Sequence, residues 1–329
     1  MSSLRTKLYR FKERIKKKRE QKLFGKCAVL LYHRVADLQT DPQLLAVSPQ
    51  SFDGQLQLLK QHYHILKIEE FEALIASGKK FPERAVLLTF DDGYADNYIH
   101  AMPLLEKHQA QALFYISTST IDTPKEFWWD EVERLILLPE AFPGDFDLTI
   151  AGVRFVSTAQ QAVSKEALYN NLLPLLRNIS FAEREKVLET IRQLSSARAP
   201  RETHRAMSLA ELKKFSSSGS VVIGAHTKNH PSLAAISAEE QFAEINESKM
   251  YLETNLARKI THFSYPFGTR ADFNKISEDV CRQLHFKYVA ANFPGLVTGQ
   301  TSAFSFPRFI VRDWQKGQFQ KELDNFFHH

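Results

Sequence analysis

The sequence predicts an α/β fold in which a parallel sheet of about seven strands curls into an irregular barrel. Two observations carry the prediction. Short runs rich in β-branched, aromatic or leucine residues alternate with helical patterns along most of the 329 residues, as in strand–helix–strand crossovers. The runs are apolar throughout rather than alternating, as strands covered on both faces should be. A third observation concerns function: several runs end abruptly in polar side chains, and barrel chemistry sits at the C-terminal ends of strands.

Residues 1–26 stand apart. They hold eleven Lys or Arg against two Glu, a balance of +9 that leaves −4 for the rest of a chain whose total is +5. The basic character belongs to this arm, and a mildly acidic body argues against a nucleic-acid-binding face. Leu4, Leu8, Phe11 and Ile15 fall at helical spacing between the basic residues. That pattern suits either a helix lying on an anionic membrane or a solvated charged tail. A secretory signal would need an apolar stretch after the first charges. Here the basic run continues through Lys16, Lys17, Lys18 and Arg19 to Lys26, so the expectation is a protein that is not exported. No run of 18 apolar residues exists, so no transmembrane helix is expected. Cys27 and Cys281 are too few and too distant to suggest a disulfide framework, and a reducing compartment fits.

The strands are predicted at Cys27–Tyr32, Ala85–Phe90, Ala112–Ile116, Val221–Ala225, Ile260–Ser264, Lys287–Ala291 and Phe306–Val311. Helices are predicted over Ser51–His62, Ile68–Ser77, Asp96–His108, Leu209–Ser217, Ala238–Leu256, Asp272–Leu284 and Trp314–Phe327. Residues from about 120 to 206 break this rhythm. They contain Phe127–Trp128–Trp129, a hairpin pattern (Phe146–Ile150 and Val153–Val156) and two polar helical patterns over Ala159–Leu176 and Phe181–Ser195. The segment reads as an insertion between two barrel strands, the kind of excursion that often serves as a lid or a partner surface. The expected organisation is an arm, 1–26, and a catalytic body, 27–329, interrupted at about 120–206.

Three strand ends carry chemistry. Ala85–Phe90 runs into Asp91–Asp92–Gly93. Two adjacent carboxylates are costly to bury unpaired; they either share a cation, one as ligand and one as base, or form a solvated turn. Val221–Ala225 runs into His226 and, four residues on, His230. If the chain turns once there, both imidazoles face one side and can hold a metal. With Asp92 they make three protein ligands, the number that leaves a coordination position open at a catalytic metal. The third end is Tyr265–Pro266–Phe267–Gly268, where proline removes one N–H, glycine permits a tight turn, and the Phe267 N–H is free for a developing oxyanion. A third histidine, His33, follows the run Leu30–Leu31–Tyr32.

Taken in order, Thr89–Phe90–Asp91–Asp92–Gly93, His226–Pro231 and Tyr265–Gly268 resemble the motifs of the polysaccharide deacetylase family, carbohydrate esterase family 4, over about residues 27–312. The resemblance implies a distorted (β/α)7 barrel and hydrolysis of an N-acetyl group on an amino sugar of a glycan or glycan precursor. It implies Asp91 as catalytic base and Asp92, His226 and His230 as ligands of a divalent metal, with Zn2+ favoured by the mixed N/O donors. The Phe267 N–H becomes an oxyanion donor. Two departures stand out. Ser264 occupies the place where many members carry an arginine that touches the base, and Arg308 is the residue that could replace it. No late general-acid histidine is evident, and the early Tyr32–His33 resembles a subgroup in which such a motif provides that acid. The partners implied are an N-acetylated saccharide, with a role in surface-glycan biosynthesis, and, through the arm, the inner face of a cytoplasmic membrane; no nucleic acid is expected. A hydrolase of another C–N amide, a non-catalytic glycan-binding domain and a membrane scaffold remain as alternatives.

Overall fold

The computed structural model describes residues 25–140, 145–158, 163–197 and 199–328. The basic amphipathic arm therefore lies almost wholly outside the described residues. The central sheet contains β1 (Cys27–Tyr32), β5 (Ala85–Phe90), β6 (Ala112–Ile116), β9 (Val221–Ala225), β10 (His262–Ser264), β11 (Tyr288–Ala290) and β12 (Phe309–Ile310). Its order is β11-β10-β9-β6-β5-β1-β12, and every pairing is parallel. β4 (His64–Ile65) adds a short ladder on β5, and β2 (Arg34–Val35) pairs with β3 (Ala46–Val47) in a small separate sheet. Every residue of β1, β5 and β6 is buried, which is why these runs carry no polar alternation.

The two edges of the sheet are joined by the chain itself. Ala290 forms a parallel bridge with Phe306, the Ala291 N–H donates to Phe306 O at 2.8 Å and the Arg308 N–H to Phe293 O at 3.1 Å, and β12 then pairs with β1. The strand expected over Phe306–Val311 contracts to two residues plus this bridge. Pro307 supplies the reason, because it has no N–H to give to a ladder. The arrangement is the distorted α/β barrel the sequence predicts.

Helices α1 (Pro49–His62), α2 (Ile68–Ser77), α3 (Met102–His108), α7 (Leu209–Ser216), α8 (Ala238–Leu256), α9 (Lys275–Gln283) and α10 (Lys316–His328) alternate with the strands. Ser208 with Glu211 and Ser237 with Glu240 form reciprocal capping boxes at the starts of α7 and α8, each cap contributing about 1 kcal/mol. The helix expected over Asp96–His108 opens instead with one π turn, Asn97–Ala101. Pro103 cannot donate to the preceding turn, which loosens the ladder at that point. A stacked aromatic column, Tyr32–Phe90–Phe114, with ring centroids 5.0 and 4.6 Å apart, runs across β1, β5 and β6.

Between β6 and β9, neighbours in the sheet, the chain makes its excursion. It contains α4 (Trp128–Ile136), the hairpin β7 (Phe146–Ile150) and β8 (Val153–Ser157), α5 (Lys165–Arg177) and α6 (Phe181–Leu194). These elements gather a second apolar cluster, including Trp129, Val132, Leu172, Leu176, Leu188 and Ile191. Helix α4 is absent from the sequence reading because all nine of its residues are buried, charged ones included. A helix covered on every side has no polar stripe to reveal its period. The helix expected from Ala159 starts at Lys165, where the Ser164 side chain accepts from the Ala167 N–H.

Candidate metal centre and its cleft

Strand β5 delivers Asp91 and Asp92 to the rim. The Asp91 N–H still donates to Tyr32 O at 3.0 Å, as a further rung of the β1–β5 ladder. Asp92 then takes φ +78°, and the Gly93 N–H closes back on Asp91 O at 3.1 Å. A non-glycine residue at positive φ inside an i→i+2 turn is strained. The strain turns Asp92 away from the strand direction, so the two carboxylates separate into different environments.

Asp91 is gripped by arginine. Arg308 Nη1 donates to Asp91 Oδ1 and Nη2 to Oδ2, both at 2.7 Å, while Arg308 Nε donates to Ala291 O at 2.7 Å. Both partners are buried. Burial alone would raise the Asp91 carboxyl, but the Arg308 guanidinium, by its charge and its hydrogen bonds, outweighs it and holds the group below its ordinary 3.8. Ser264, at the position where an arginine is common in the resembled family, accepts from Arg308 Nη2 at 2.8 Å and donates to Asp91 Oδ2 at 3.3 Å. The guanidinium thus reaches the base from the residue before β12 instead of from the end of β10.

Asp92 faces the histidines. Its Oδ1 lies 3.6 Å from His226 Nε2 and 3.4 Å from His230 Nε2, and the two Nε2 atoms are 3.1 Å apart. A tetrahedral ion with ligands at ~2.0–2.1 Å requires donor atoms roughly 3.3 Å apart, so the three atoms already stand at the separations a zinc-like ion needs. His226 Nδ1 donates to Ser264 O at 2.7 Å, which fixes the proton there and leaves Nε2 as a lone pair. Burial pushes both imidazoles below their ordinary value, His230 further than His226; they are neutral, as ligation demands. Burial, then Asp91 and Asp130, push the Asp92 carboxyl well above its ordinary value. A cation among these donors reverses that cost.

The segment joining the histidines is not a helical turn. Thr227 and His230 both sit at positive φ, +64° and +52°. Glu244 of α8 clamps it from below, accepting from the Lys228 N–H at 3.0 Å, the Asn229 N–H at 2.8 Å and Asn229 Nδ2 at 2.7 Å. Glu244 went unseen in the sequence because an acidic residue inside an amphipathic helix reads as solvated surface. Trp129 of α4 packs its ring 4.6 Å from His230 and passes its indole N–H to Tyr94 Oη at 2.7 Å. The excursion therefore contributes a wall to the site.

Pro266–Phe267–Gly268 repeats the geometry of Asp92. Phe267 takes φ +58°, the Gly268 N–H closes on Pro266 O at 2.6 Å, and the Phe267 N–H has no acceptor among the described residues. Gly268 is required: at φ +66°, a Cβ there would meet Asn292 N at 2.7 Å. The Phe267 ring lies 4.8 Å from His230 and beneath the Arg177 guanidinium.

These residues open into a cleft of about 200 Å³ whose lining includes His33, Gln43, Trp129, Arg177, Asn292 and Arg312. His33 is thus where the sequence reading needs it, but in a different state. Burial pushes its imidazole down to about 4 against the pull of Asp91, and Arg308, His226 and Arg312 push the same way. An acid must carry its proton before it gives it, but here desolvation and the arginine that serves Asp91 outweigh the neighbouring carboxylate, and the resting imidazole is neutral.

A second triad, Asp130, Glu133 and His204, brings buried donor atoms within 4.8 Å of one another, as Asp92, His226 and His230 do. Its surroundings differ. Arg201 Nη1 is 3.2 Å from Glu133 Oε2, Tyr94 Oη donates to Asp130 Oδ2 at 2.7 Å, and burial, Arg34 and Arg201 push His204 down to about 3.

Comparison with known proteins places the chain. A model of the polysaccharide deacetylase family matches residues 78–137 and 189–289, on either side of the hairpin excursion. The chain is 32% identical over 96 residues to a poly-beta-1,6-N-acetyl-D-glucosamine N-deacetylase of Escherichia coli K12, covering 29% of this chain and 14% of that protein. It is 36% identical over 77 residues to the Staphylococcus epidermidis protein of the same name, covering 23% and 26%. Among solved structures, Streptococcus pyogenes deacetylase PplD superposes with a TM-score of 0.59 at 20% identity over 91% of this chain and 97% of that one. IcaB from Ammonifex degensii superposes at 0.57 and 18% over 92% and 97%; at these identities the likeness is one of fold. With the three motifs on adjoining strand ends of a barrel shared with these structures, the chain belongs to the polysaccharide deacetylase family.

Proposed function

We propose that the chain is a metal-dependent hydrolase that removes N-acetyl groups from an amino sugar of a glycan or glycan precursor. The observation that carries the reading is the division of labour at one strand end: Asp91 ionised beneath Arg308, and Asp92 turned toward two neutral histidines at metal-ligand spacing. Asp92, His226 and His230 would hold the ion, with Zn2+ the choice that N/O donors favour. When bound, such an ion acidifies water and polarises a carbonyl.

The chain's own residues supply the rest. Asp91, kept as a carboxylate, accepts the proton of the attacking water. The unengaged Phe267 N–H is available to the oxygen that gains negative charge. Asp91 then carries the proton that the departing nitrogen needs, and His33, uncharged at rest, is placed to relay it. Trp129 and Phe267 offer ring faces, and Gln43, Asn292, Thr269, Arg177 and Arg312 offer polar groups, along the cleft. That mixture suits a saccharide, which presents apolar faces and hydroxyl edges. The names of the similar Escherichia coli and Staphylococcus epidermidis proteins motivate β-1,6-linked N-acetylglucosamine oligomers as first substrates.

The test is acetate release from N-acetylated oligosaccharides and lipid- or nucleotide-linked amino sugars, before chelation, after chelation and after zinc is restored. We expect release that follows the metal and falls ~10²–10⁴-fold in Asp91→Asn. Stoichiometric metal with release only from a non-sugar amide would move the reading to that substrate. Glycan binding without metal or turnover would favour the binding-domain alternative. Placement at the inner membrane face rests on the basic arm, and loss of sedimentation with anionic vesicles on deleting residues 1–26 is its test.

A further inference from the structure

A second cavity also reaches His230. It measures about 80 Å³ and lies where α4 and α6 of the excursion meet the loop after β6 and the segment Lys228–His230. Arg184 of α6 lines it and is 1% exposed. Its Nη2 donates to Asn229 O at 2.6 Å, and its guanidinium lies 4.9 Å from the Trp128 ring centroid. Nε and Nη1 of Arg184, Nε1 of Trp128 and Oγ1 of Thr120, all from residues lining the cavity, are buried with no hydrogen-bond partner.

The charge is as unattended as the hydrogens. The acids that act on Arg184 are Glu244 and Glu185. Glu244 spends its oxygens on the Lys228–Asn229 segment, and Glu185 faces Lys125 and Arg192 at 3.7 and 3.5 Å. Burial lowers Arg184 only to about 10, so the cation persists at neutral pH. Water could satisfy the N–H groups but would not neutralise a buried guanidinium, which is costly to desolvate. Glu126 and Glu131 also line the cavity but are paired with Arg134, Arg192 and Arg201, so a concave site with free N–H donors on a guanidinium that makes no ion pair among the described residues has the chemistry of an anion site.

We propose that this cavity binds a small monovalent anion, a carboxylate such as acetate or a halide such as chloride, between the Arg184 guanidinium and the Trp128 indole N–H. A cavity of about 80 Å³ has room for several waters and so for such an anion. An occupant ties α6 to the Asn229–His230 segment, so anion binding steadies one flank of the metal centre. The site stands independently of the deacetylase reading; only acetate as its natural occupant, the product of that reaction, rests on it.

The chain has three tryptophans, so indole ¹⁵N–¹H signals of the full-length protein resolve the site. Sodium acetate and sodium chloride would each be titrated in separately at constant ionic strength, against gluconate as a bulky reference anion, with zinc present and after chelation. We expect a saturable shift of the Trp128 signal in both metal states, and affinity at least roughly tenfold weaker in Arg184→Gln. Saturation by acetate but not chloride assigns a carboxylate site, and saturation by both a general anion site. An unmoved Trp128 signal, an equal shift in Arg184→Gln, or a shift seen only with zinc present (a carboxylate at the metal centre itself) overturns the proposal. Should Arg184→Gln fail to fold, the wild-type titration still decides, and Arg184→Lys, which keeps the charge, should retain weakened binding.

Discussion

Among the described residues two triads of buried donors lie within this fold, and one of the two is free to take a cation. Asp92, His226 and His230 and, on the excursion side, Asp130, Glu133 and His204 both hold their ligand atoms within 4.8 Å. At the first, the nearby arginine is spent on Asp91, which leaves the three donors facing one another. At the second, Arg201 and Arg34 stand among the donors; Arg201 pairs with Glu133, and both press His204 toward the neutral form. Burial and proximity are the same, and both triads mix carboxylates with imidazoles. The placement of guanidinium groups separates a metal centre from an ion-pair network.

The largest effect that tests this contrast is metal content. In Asp92→Ala or His226→Ala, bound zinc and activity should fall well beyond the ~10–100-fold of an outer-shell change, whereas His204→Gln should keep full stoichiometry. Metal analysis of the purified variants decides, and zinc lost from His204→Gln would erase the distinction. Next comes the arginine itself. Arg308→Met leaves Asp91 buried without its partner, and ~3–5 kcal/mol of stability should go. The Asp91 carboxyl then rises, so the acid limb of the pH–rate profile moves to higher pH; an unmoved limb would show that Arg308 does not set the state of the base. In the wild type, that pair's contribution is present above about pH 4 and is lost as pH falls through the depressed value of Asp91.

The smallest effect belongs to His204. Its folded value, about 3, lies below the ordinary 6.5. The unfolded chain therefore binds the extra proton first, and stability falls as pH drops from 6.5 toward 3. His204→Gln should flatten that slope by up to one proton's worth, read from denaturant midpoints across the range. An unchanged slope would mean that His204 titrates normally.

Much of this was legible in the chain. Five of the six residues of Ala85–Phe90 are plainly apolar, and the abrupt carboxylates after them announced a rim; the same held for Val221–Ala225 and His226. What stayed hidden shares one physical property, namely that its signal is long-range. Arg308 touches Asp91 across 217 positions; no local pattern marks it, and only the resemblance singled it out. Glu244 clamps a loop from inside an ordinary amphipathic helix. Trp128–Ile136 is a helix without a polar face because the partners that bury its charges come from elsewhere. His33 was placed in the cleft, but the burial that keeps its imidazole neutral leaves no mark in the motif around it.

The separation between Asp91 and Arg308 also bears on how the molecule is made. Asp91 leaves the ribosome early, as the sixth residue after Ala85, while its counter-charge stands immediately before the last strand. Until that strand has emerged, a nascent barrel that packs β1, β5 and β6 holds a carboxylate with no cation beside it. The final strand thus closes the sheet and neutralises the base in one event. A chain stopped before Arg308 would lack both, which gives protein quality control a sharp difference between finished and unfinished molecules.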